Sequence, residues 1–305
     1  MAVGGTIVAA ALIAAAFLFR PAAATQTPAD VATPAPYAHF PLPPRGAIVF
    51  SRQLGSDALA LGVVPRNGQL LLQVSVLGRQ GNGVSGLAVT LHADGSARTA
   101  TPCGPGCYRA TFAVTGRPTG VRVDVRGGGE AARWQVALPA AWPAPDARAL
   151  LARAGRVWRA LHSLSFREQL ASDTRHETRS TWQIQAPNRV AYQVKGGWSG
   201  IIVGARRWDR TPQGGGWVES PQTPLTQPVP GWVAVTDAHV LGTATVAGKP
   251  VWLASFFDPR SHAWFRVTIA RRTLRTLEVR MVATAHFMRD VYGSFNTTPP
   301  IVPPS

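Results

Sequence analysis

The chain has 305 residues, a length typical of about two domains, of which 46% are hydrophobic and 15% charged. This apolar share is large enough to bury sizeable cores, which excludes an intrinsically disordered chain. The formal net charge is +16. The basic residues are almost all arginine and are scattered along the chain, which argues against nucleic-acid binding but agrees with attraction to an anionic membrane surface.

The N-terminus is a long apolar segment. Val3 to Phe19 contain no charged residue, and Arg20 follows. The length of this run lies between that of a signal-peptide core and that of a membrane-spanning helix. We therefore expect residues 1–20 to form a membrane anchor or signal segment in the cell membrane, with the later domains outside the cytoplasm.

A linker rich in proline and alanine follows over residues 21–45 and is expected to act as an extended spacer. Residues 46–139 then contain short runs in which apolar residues alternate, for example Leu70, Leu72 and Val74, separated by turn-forming residues. An alternation of period two indicates half-buried antiparallel strands. At least six such runs in this stretch predict an immunoglobulin-like β-sandwich.

The two cysteines of the chain, Cys103 and Cys107, flank a Gly-Pro-Gly turn inside this region. Glycine and proline allow a turn that brings two Cα atoms within the roughly 4.4–6.8 Å that a disulfide needs. In an exported protein a close pair of this kind favours a structural disulfide. A copper(I) site that also uses His92 or a methionine, and a redox pair, are the alternatives.

Residues 146–297 are predicted to form an α+β domain, followed by a proline-rich tail over residues 298–305. Asp146 is a good helix N-cap, and apolar side chains from Leu150 to Leu164 share one face at helical spacing. Strand patterns follow at 166–170, 180–184, 190–194, 201–203, 251–257, 264–270 and 274–285. One helix before many antiparallel strands predicts that the helix packs on one sheet.

The aromatic residues of this domain are candidates for a ligand pocket, because rings with a polar tip suit pocket mouths; an ordinary core is the alternative. The candidate pocket residues are Trp158, Leu161, Trp182, Tyr192, Trp208, Trp217, Phe257 and Trp264. The sequence contains no motif of a known catalytic class. We interpret the following acidic residues as turn or solvent-face positions: Glu168, Asp209, Glu219, Asp258, Glu278 and Asp290. We therefore expect no enzyme activity, cofactor or bound metal.

Several phrases of the C-terminal half occur in a characteristic order. The helix is followed by Phe166-Arg-Glu-Gln-Leu170, then by Trp182 to Tyr192 with Ala-Pro-Asn-Arg inside it, and then by Ile201 to Asp209. In this layout the half resembles the exported proteins of the LolA, LppX and RseB type. Over residues 146–297 the resemblance implies an unclosed β-barrel wrapped around a helix, with a hydrophobic interior that holds acyl chains.

The first half is similar to YtkA-like and CopC-like β-sandwiches. The order of domains resembles the extracytoplasmic tail of actinobacterial copper-resistance membrane proteins of the CopD type, although CopC-type copper sites start from a histidine where this sandwich opens at Arg45. We expect a membrane-tethered extracytoplasmic protein whose C-terminal domain holds a lipid or another hydrophobic ligand. A copper-homeostasis accessory, and a sensory or structural ectodomain that docks a membrane protein partner, are the alternatives.

Overall fold

The computed structural model describes residues 39–305, so the predicted membrane segment over residues 1–20 lies outside the described part of the chain. Residues 39–305 form three antiparallel sheets and one helix, which confirms the predicted mainly β class. None of the helical structure in this range has the length and hydropathy of a membrane span.

The first two sheets lie between Ile48 and Ala137 and share one core. Their strands are β1 (Ile48–Leu54), β2 (Asp57–Arg66), β3 (Gln69–Leu77), β4 (Ala88–Ala93), β5 (Ser96–Thr99), β6 (Thr101–Gly104), β7 (Cys107–Ala113), β8 (Gly120–Gly127) and β9 (Glu130–Ala137). One sheet has the order β1-β2-β3-β7-β6 and the other β5-β4-β8-β9. Leu61 and Leu72 of the first sheet and Leu91 and Val123 of the second are fully buried in a common cluster, as expected when alternating apolar residues of two sheets face each other.

Cys103 and Cys107 form the predicted disulfide at the turn between β6 and β7, with their Cα atoms 5.0 Å apart. The turn lies close against the neighbouring backbone. A Cβ atom on Gly106 would lie 2.3 Å from the carbonyl oxygen of Val76, and Gly106 has a φ of +64°. The disulfide therefore closes a loop whose path leaves no room for a side chain at this position.

We expect the double substitution Cys103→Ser/Cys107→Ser to lower the free energy of unfolding by about 2 kcal/mol, the value for so short a closed loop. Urea unfolding of both proteins measures the change. Dithiothreitol should destabilise the natural chain by a similar amount and leave the double variant unaffected. Equal stability of the two proteins under oxidising conditions would contradict the structural role of the disulfide.

The helix α1 spans Arg148–Arg159 and begins one residue later than the sequence predicts, with Ala147 at the N-cap position. Asp146 still contributes to the helix start, because its Oδ1 accepts a hydrogen bond from the backbone N–H of Arg148 at 2.7 Å. The buried face of the helix consists of Leu151, Ala154, Gly155 and Trp158. The helical period of the apolar residues therefore corresponds to a buried face.

The third sheet contains eleven strands. They are β10 (Ser163–Ala171), β11 (Glu177–Gln185), β12 (Arg189–Val194), β13 (Ser199–Val203), β14 (Arg206–Arg210), β15 (Val218–Pro221), β16 (Thr236–Val246), β17 (Lys249–Asp258), β18 (Ala263–Ala270), β19 (Thr276–Ala283) and β20 (His286–Gly293). The order is β15-β14-β13-β12-β11-β10-β20-β19-β18-β17-β16. The sheet is unclosed, and its two edge strands, β15 and β16, follow each other in the chain.

The connection between these edge strands, residues 222–235, is called the strap. Because it joins opposite edges, it crosses the face of the sheet on which α1 packs, here called the inner face. Trp232 of the strap packs on Phe256, with ring centroids 5.5 Å apart, and Leu225 packs on the cluster around Trp182. The backbone N–H of Val233 donates to Asp258 Oδ2 at 2.8 Å. Helix and strap together cover the inner face.

The opposite, outer face of the sheet contacts the first half of the chain. Phe257, Trp264, Val282 and Phe287 lie in register on β17–β20 and form one buried cluster with apolar residues of β1 to β3. Phe40, at the end of the predicted spacer, stacks on Trp264 with ring centroids 5.3 Å apart. Ala171 at the end of β10 also packs on this cluster, whereas the outer face of β11–β14 lies beyond the contact.

Candidate functional site

A cleft of about 550 Å³ lies on β10 to β14 and β20. Directly paired residues of neighbouring strands share a face of the sheet. One cross-strand row of the cleft runs through Arg167, Thr181, Gln193, Ser199 and Arg210, each paired with the next. This row continues to Val291. It lies on the outer face because its partner in register, Glu278, is four residues from Val282, which the contact with the first half places on that face. The cleft therefore opens on the outer face, beside the contact with the first half.

The side chains of the cleft combine positive charge with apolar and amide surface. Arg167 and Arg210 are exposed, and neither forms an ion pair with an acidic side chain in the described part of the chain. The guanidinium carbon of Arg210 lies 4.7 Å from the ring centroid of Trp217, a cation–π contact. The residues that line the cleft include no aspartate or glutamate. The cleft is thus suited to an anionic group next to an apolar or aromatic one.

A second outer-face row of the cleft consists of Ser165, Gln183, Ala191 and Ile201, and the floor of the cleft is the backbone between the two rows. At these intervening positions the side chains alternate to the inner face, where Phe166, Trp182 and Tyr192 stack at centroid distances of 5.7 and 4.8 Å. Gly200 completes this row, and a Cβ atom there would lie 2.3 Å from the ring of Tyr192. The aromatic stack supports the cleft from below.

The inner face is occupied by protein side chains. Buried clusters under α1 and the strap include Leu151, Phe256, Phe265, Trp158 and Leu164. The sequence predicts that the strands leave an apolar hollow beside the helix, whereas the described cleft lies on the opposite face of the sheet. The physical reason is the strap, which crosses the open side of the sheet and packs its apolar residues there.

Two carboxyl groups lie buried and in register on the inner face, although the sequence predicts turn or solvent-face residues at these positions. Glu168 on β10 pairs directly with Asp290 on β20, and they are 7% and 4% exposed. Glu168 Oε2 accepts a hydrogen bond from Ser180 Oγ at 2.7 Å, and Asp290 Oδ2 accepts one from the Tyr292 hydroxyl at 2.6 Å. Asp290 Oδ1 has no hydrogen-bond partner within the described residues.

Burial shifts the pKa values of both carboxyl groups and of Tyr292. Burial raises the pKa of Glu168 in spite of its hydrogen bonds. Burial and the nearby Glu168 carboxyl raise the pKa of Asp290 to about 8. The pKa of Tyr292 is raised well above its ordinary value, first by burial and then by Asp290. At neutral pH Asp290 is therefore a proton-carrying group inside the fold. Asp258 is also fully buried, contrary to its interpretation as a solvent-face residue, and accepts backbone hydrogen bonds.

The structure distributes the eight candidate pocket residues over four places. Trp217 lines the cleft with its ring, and Trp182 and Tyr192 belong to the aromatic stack under the cleft floor. Trp158 and Leu161 lie in a buried cluster at the end of α1. Phe257 and Trp264 lie in the contact with the first half, and Trp208 donates its indole N–H to Glu219 Oε2 at 3.1 Å on the edge strands. Burial raises the pKa of Tyr192 to about 12, although Arg207 opposes it.

The candidate copper ligands are engaged in other contacts. Both cysteine sulfur atoms belong to the disulfide. His92 lies in the four-stranded sheet, where its Nε2 is 2.9 Å from Asp124 Oδ2. Within residues 39–305 no group of three or more His, Cys, Asp or Glu side chains is placed to hold a metal ion.

The cleft arginines were absent from the sequence-based candidates. Arg167 was part of the phrase Phe166-Arg-Glu-Gln-Leu170, but nothing in a single strand tells which residue of a distant strand pairs with it. Alternation along β10 does place Arg167 on the face opposite Phe166. This alternation of side chains, applied to each strand in turn, is the signal in the sequence that separates the polar outer row from the aromatic inner row.

No protein-family model matches the sequence, and no curated protein is detectably similar to it. The lipoprotein LppX of Mycobacterium tuberculosis is a similar solved structure, with 13% identity, a TM-score of 0.39, and coverage of 50% of this chain and 98% of LppX. LprF of Mycobacterium bovis is similar with 8% identity, a TM-score of 0.38, and coverage of 53% and 99%. A LolA superfamily protein of Nitrosomonas europaea is similar with 9% identity, a TM-score of 0.24, and coverage of 51% and 95%.

Proposed function

We propose that this protein is a membrane-tethered, extracytoplasmic binding protein whose eleven-stranded sheet holds an anionic amphiphile, such as a lipid with an acidic headgroup, in the outer-face cleft. The observation that carries the proposal is the pair of arginines, Arg167 and Arg210, that line a cleft free of carboxylates. Without an acidic partner their guanidinium groups are available to the anionic group of a ligand.

Size and lining support a ligand with an apolar part. About 550 Å³ is within the range of small-molecule sites. The outer-face side chains of Ala191, Ile201 and Val291 and the ring of Trp217 supply apolar surface beside the arginines. Burying an acyl chain against them contributes roughly 25 cal/mol per Å² of apolar surface. The arginines select the charge of the headgroup, and the apolar surface holds the chain.

The disulfide and the N-terminal sequence support the proposed place of action. A disulfide is typical of proteins outside the reducing cytoplasm. The apolar run from Val3 to Phe19 supports export and tethering to the cell membrane, and the net charge of +16 favours an anionic membrane surface.

We expect lysophosphatidylglycerol to bind the full chain about tenfold more tightly than lysophosphatidylcholine of the same chain length, because its net negative charge meets two free guanidinium groups. The double substitution Arg167→Gln/Arg210→Gln should abolish this preference. Isothermal titration with lipid below its micelle concentration measures both affinities.

The matched control is Arg109→Gln/Arg126→Gln, which removes the same charge from exposed arginines of the first two sheets that form no ion pair in the described part of the chain. This control should keep the preference. If the cleft variant binds both lipids as the natural chain does, the cleft is not the lipid site and the proposal fails.

A further inference from the structure

Three arginines form a second cross-strand row on the outer face of the eleven-stranded sheet. Arg266 on β18 pairs directly with Arg280 on β19, which pairs directly with Arg289 on β20. Strands lie about 4.8 Å apart, so the three residues span roughly 10 Å. Arg289 is two residues from Val291 on the same strand and face, so this row, here called the arginine row, runs beside the cleft.

The charge of the arginine row is not balanced by acidic side chains in the described part of the chain. Glu278 is its acidic partner, 2.6 Å from Arg280 Nε and 3.2 Å from Arg289 Nη2. Hydrogen bonds from Arg289 and Arg280 outweigh burial and lower the pKa of Glu278, so that it is charged. Arg266 forms no ion pair within 4 Å in residues 39–305. Three guanidinium groups thus face one carboxylate, although like charges placed directly opposite each other destabilise a sheet.

The row also contains hydrogen-bond donors that lack an acceptor. Arg289 Nε is buried and has no partner among the described residues, and the same holds for Ser255 Oγ. Ser255 is 2% exposed and pairs directly with Arg266, so it lies at the end of the same row. Buried donors without acceptors are rare in folded proteins and call for a ligand or solvent that accepts. Partial burial, and then the nearby Arg280, lower the pKa of Arg266, while Glu278 opposes the shift.

Solvent reaches the row from outside. The side chains of Arg280 and Arg289 are 47% and 42% exposed, and Arg266 is exposed as well. We infer that Arg266, Arg280 and Arg289 form an anion site for a phosphoryl group. Guanidinium groups match the geometry of phosphate oxygens, and three of them on adjacent strands can approach one tetrahedral oxyanion from several sides. The inference does not depend on the lipid proposed for the cleft.

Titration of the full chain with inorganic phosphate at constant ionic strength is expected to show one saturable site with a dissociation constant of about 1 mM or lower. The triple variant Arg266→Gln/Arg280→Gln/Arg289→Gln should bind phosphate at least tenfold more weakly. The single variant Arg266→Gln leaves both contacts of Glu278 intact and should bind phosphate roughly fivefold more weakly, or weaker still. It keeps the test valid if the triple variant does not fold. A charge-matched control, Arg109→Gln/Arg126→Gln/Arg153→Gln, should bind as the natural chain does.

A phosphoryl group reaches such a site as free phosphate or as part of a lipid headgroup, and dodecyl phosphate below its micelle concentration distinguishes the two. Tighter binding of dodecyl phosphate than of inorganic phosphate, reduced by Trp217→Ala in the cleft, supports a phospholipid whose chain enters the cleft. Equal binding of both supports free phosphate. The inference is overturned if phosphate gives no saturable binding up to about 10 mM, or if the Arg266→Gln and triple variants bind as the control does. The variant Arg167→Gln/Arg210→Gln removes only cleft arginines and should bind inorganic phosphate as the natural chain does. Its phosphate binding therefore tests the arginine row separately from the cleft.

Discussion

Replacing Trp264 with alanine is expected to lower the free energy of unfolding by about 3–5 kcal/mol. Trp264 is 1% exposed and lies where the outer face of the eleven-stranded sheet meets β1. Its ring centroid is 5.3 Å from that of Phe40 and 5.6 Å from that of Phe257. Alanine removes the buried ring and leaves a cavity that close-packed neighbours fill only in part. Urea unfolding followed by circular dichroism measures the loss.

The control for this substitution is Trp198→Ala, because Trp198 is a large aromatic residue that is 43% exposed. It should change the free energy of unfolding by less than about 1 kcal/mol. If the two variants are equally stable, the contact between the two halves does not contribute to folding. A large effect of Trp264→Ala alone supports a stabilising role of this cluster, which contains residues of both halves.

Stability is expected to decrease as the pH rises from about 4 to about 8, and Asp290→Asn is expected to remove much of this decrease. Burial, with the Glu168 carboxyl beside it, raises the pKa of Asp290 from 3.8 to about 8. Between these values the folded chain keeps a proton that the unfolded chain has released. The stabilisation is therefore complete below pH 4 and is lost as the pH approaches 8, by up to roughly 1.4 kcal/mol per pH unit.

Urea unfolding at several pH values between about 5 and about 8 compares the natural chain with Asp290→Asn. Any pH-independent effect of the substitution cancels when only the change with pH is compared. Glu177→Gln is the control, because Glu177 is an exposed carboxylate of the neighbouring strand β11 that pairs with Arg179. Its curve should run parallel to that of the natural chain. Parallel curves for Asp290→Asn as well would contradict a protonated Asp290 in the folded state.

Local patterns predicted several features that the structure contains. The alternation around Leu72 and Leu91 corresponds to strands whose apolar side chains are fully buried. The turn between Cys103 and Cys107 is closed by the expected disulfide. These predictions depend on neighbouring residues alone, since strand alternation and a short loop are set by backbone geometry.

Other elements could not be predicted from local patterns, for identifiable physical reasons. Strand β20, His286–Gly293, lies outside the predicted strand patterns, because its mixed polar and apolar residues hide the alternation. It carries Asp290, whose burial depends on pairing with Glu168, far away in the chain. A carboxylate in a single sequence is normally interpreted as exposed. Only the pairing of β10 with β20 on the inner face reverses that interpretation.

Local patterns in the sequence are enough to predict the mainly β class, the helical period before Leu164, the disulfide, and the chemical character of each strand. Which face of the sheet is open depends on the packing of segments that are distant in the chain. The strap over residues 222–235 crosses from one edge strand to the other and fills the inner face, and the first half covers part of the outer face. Arg167 and Arg210, and the arginines at 266, 280 and 289, then come together because strand register joins residues that are distant in the chain. Register and strand order depend on long-range packing, which no local pattern contains.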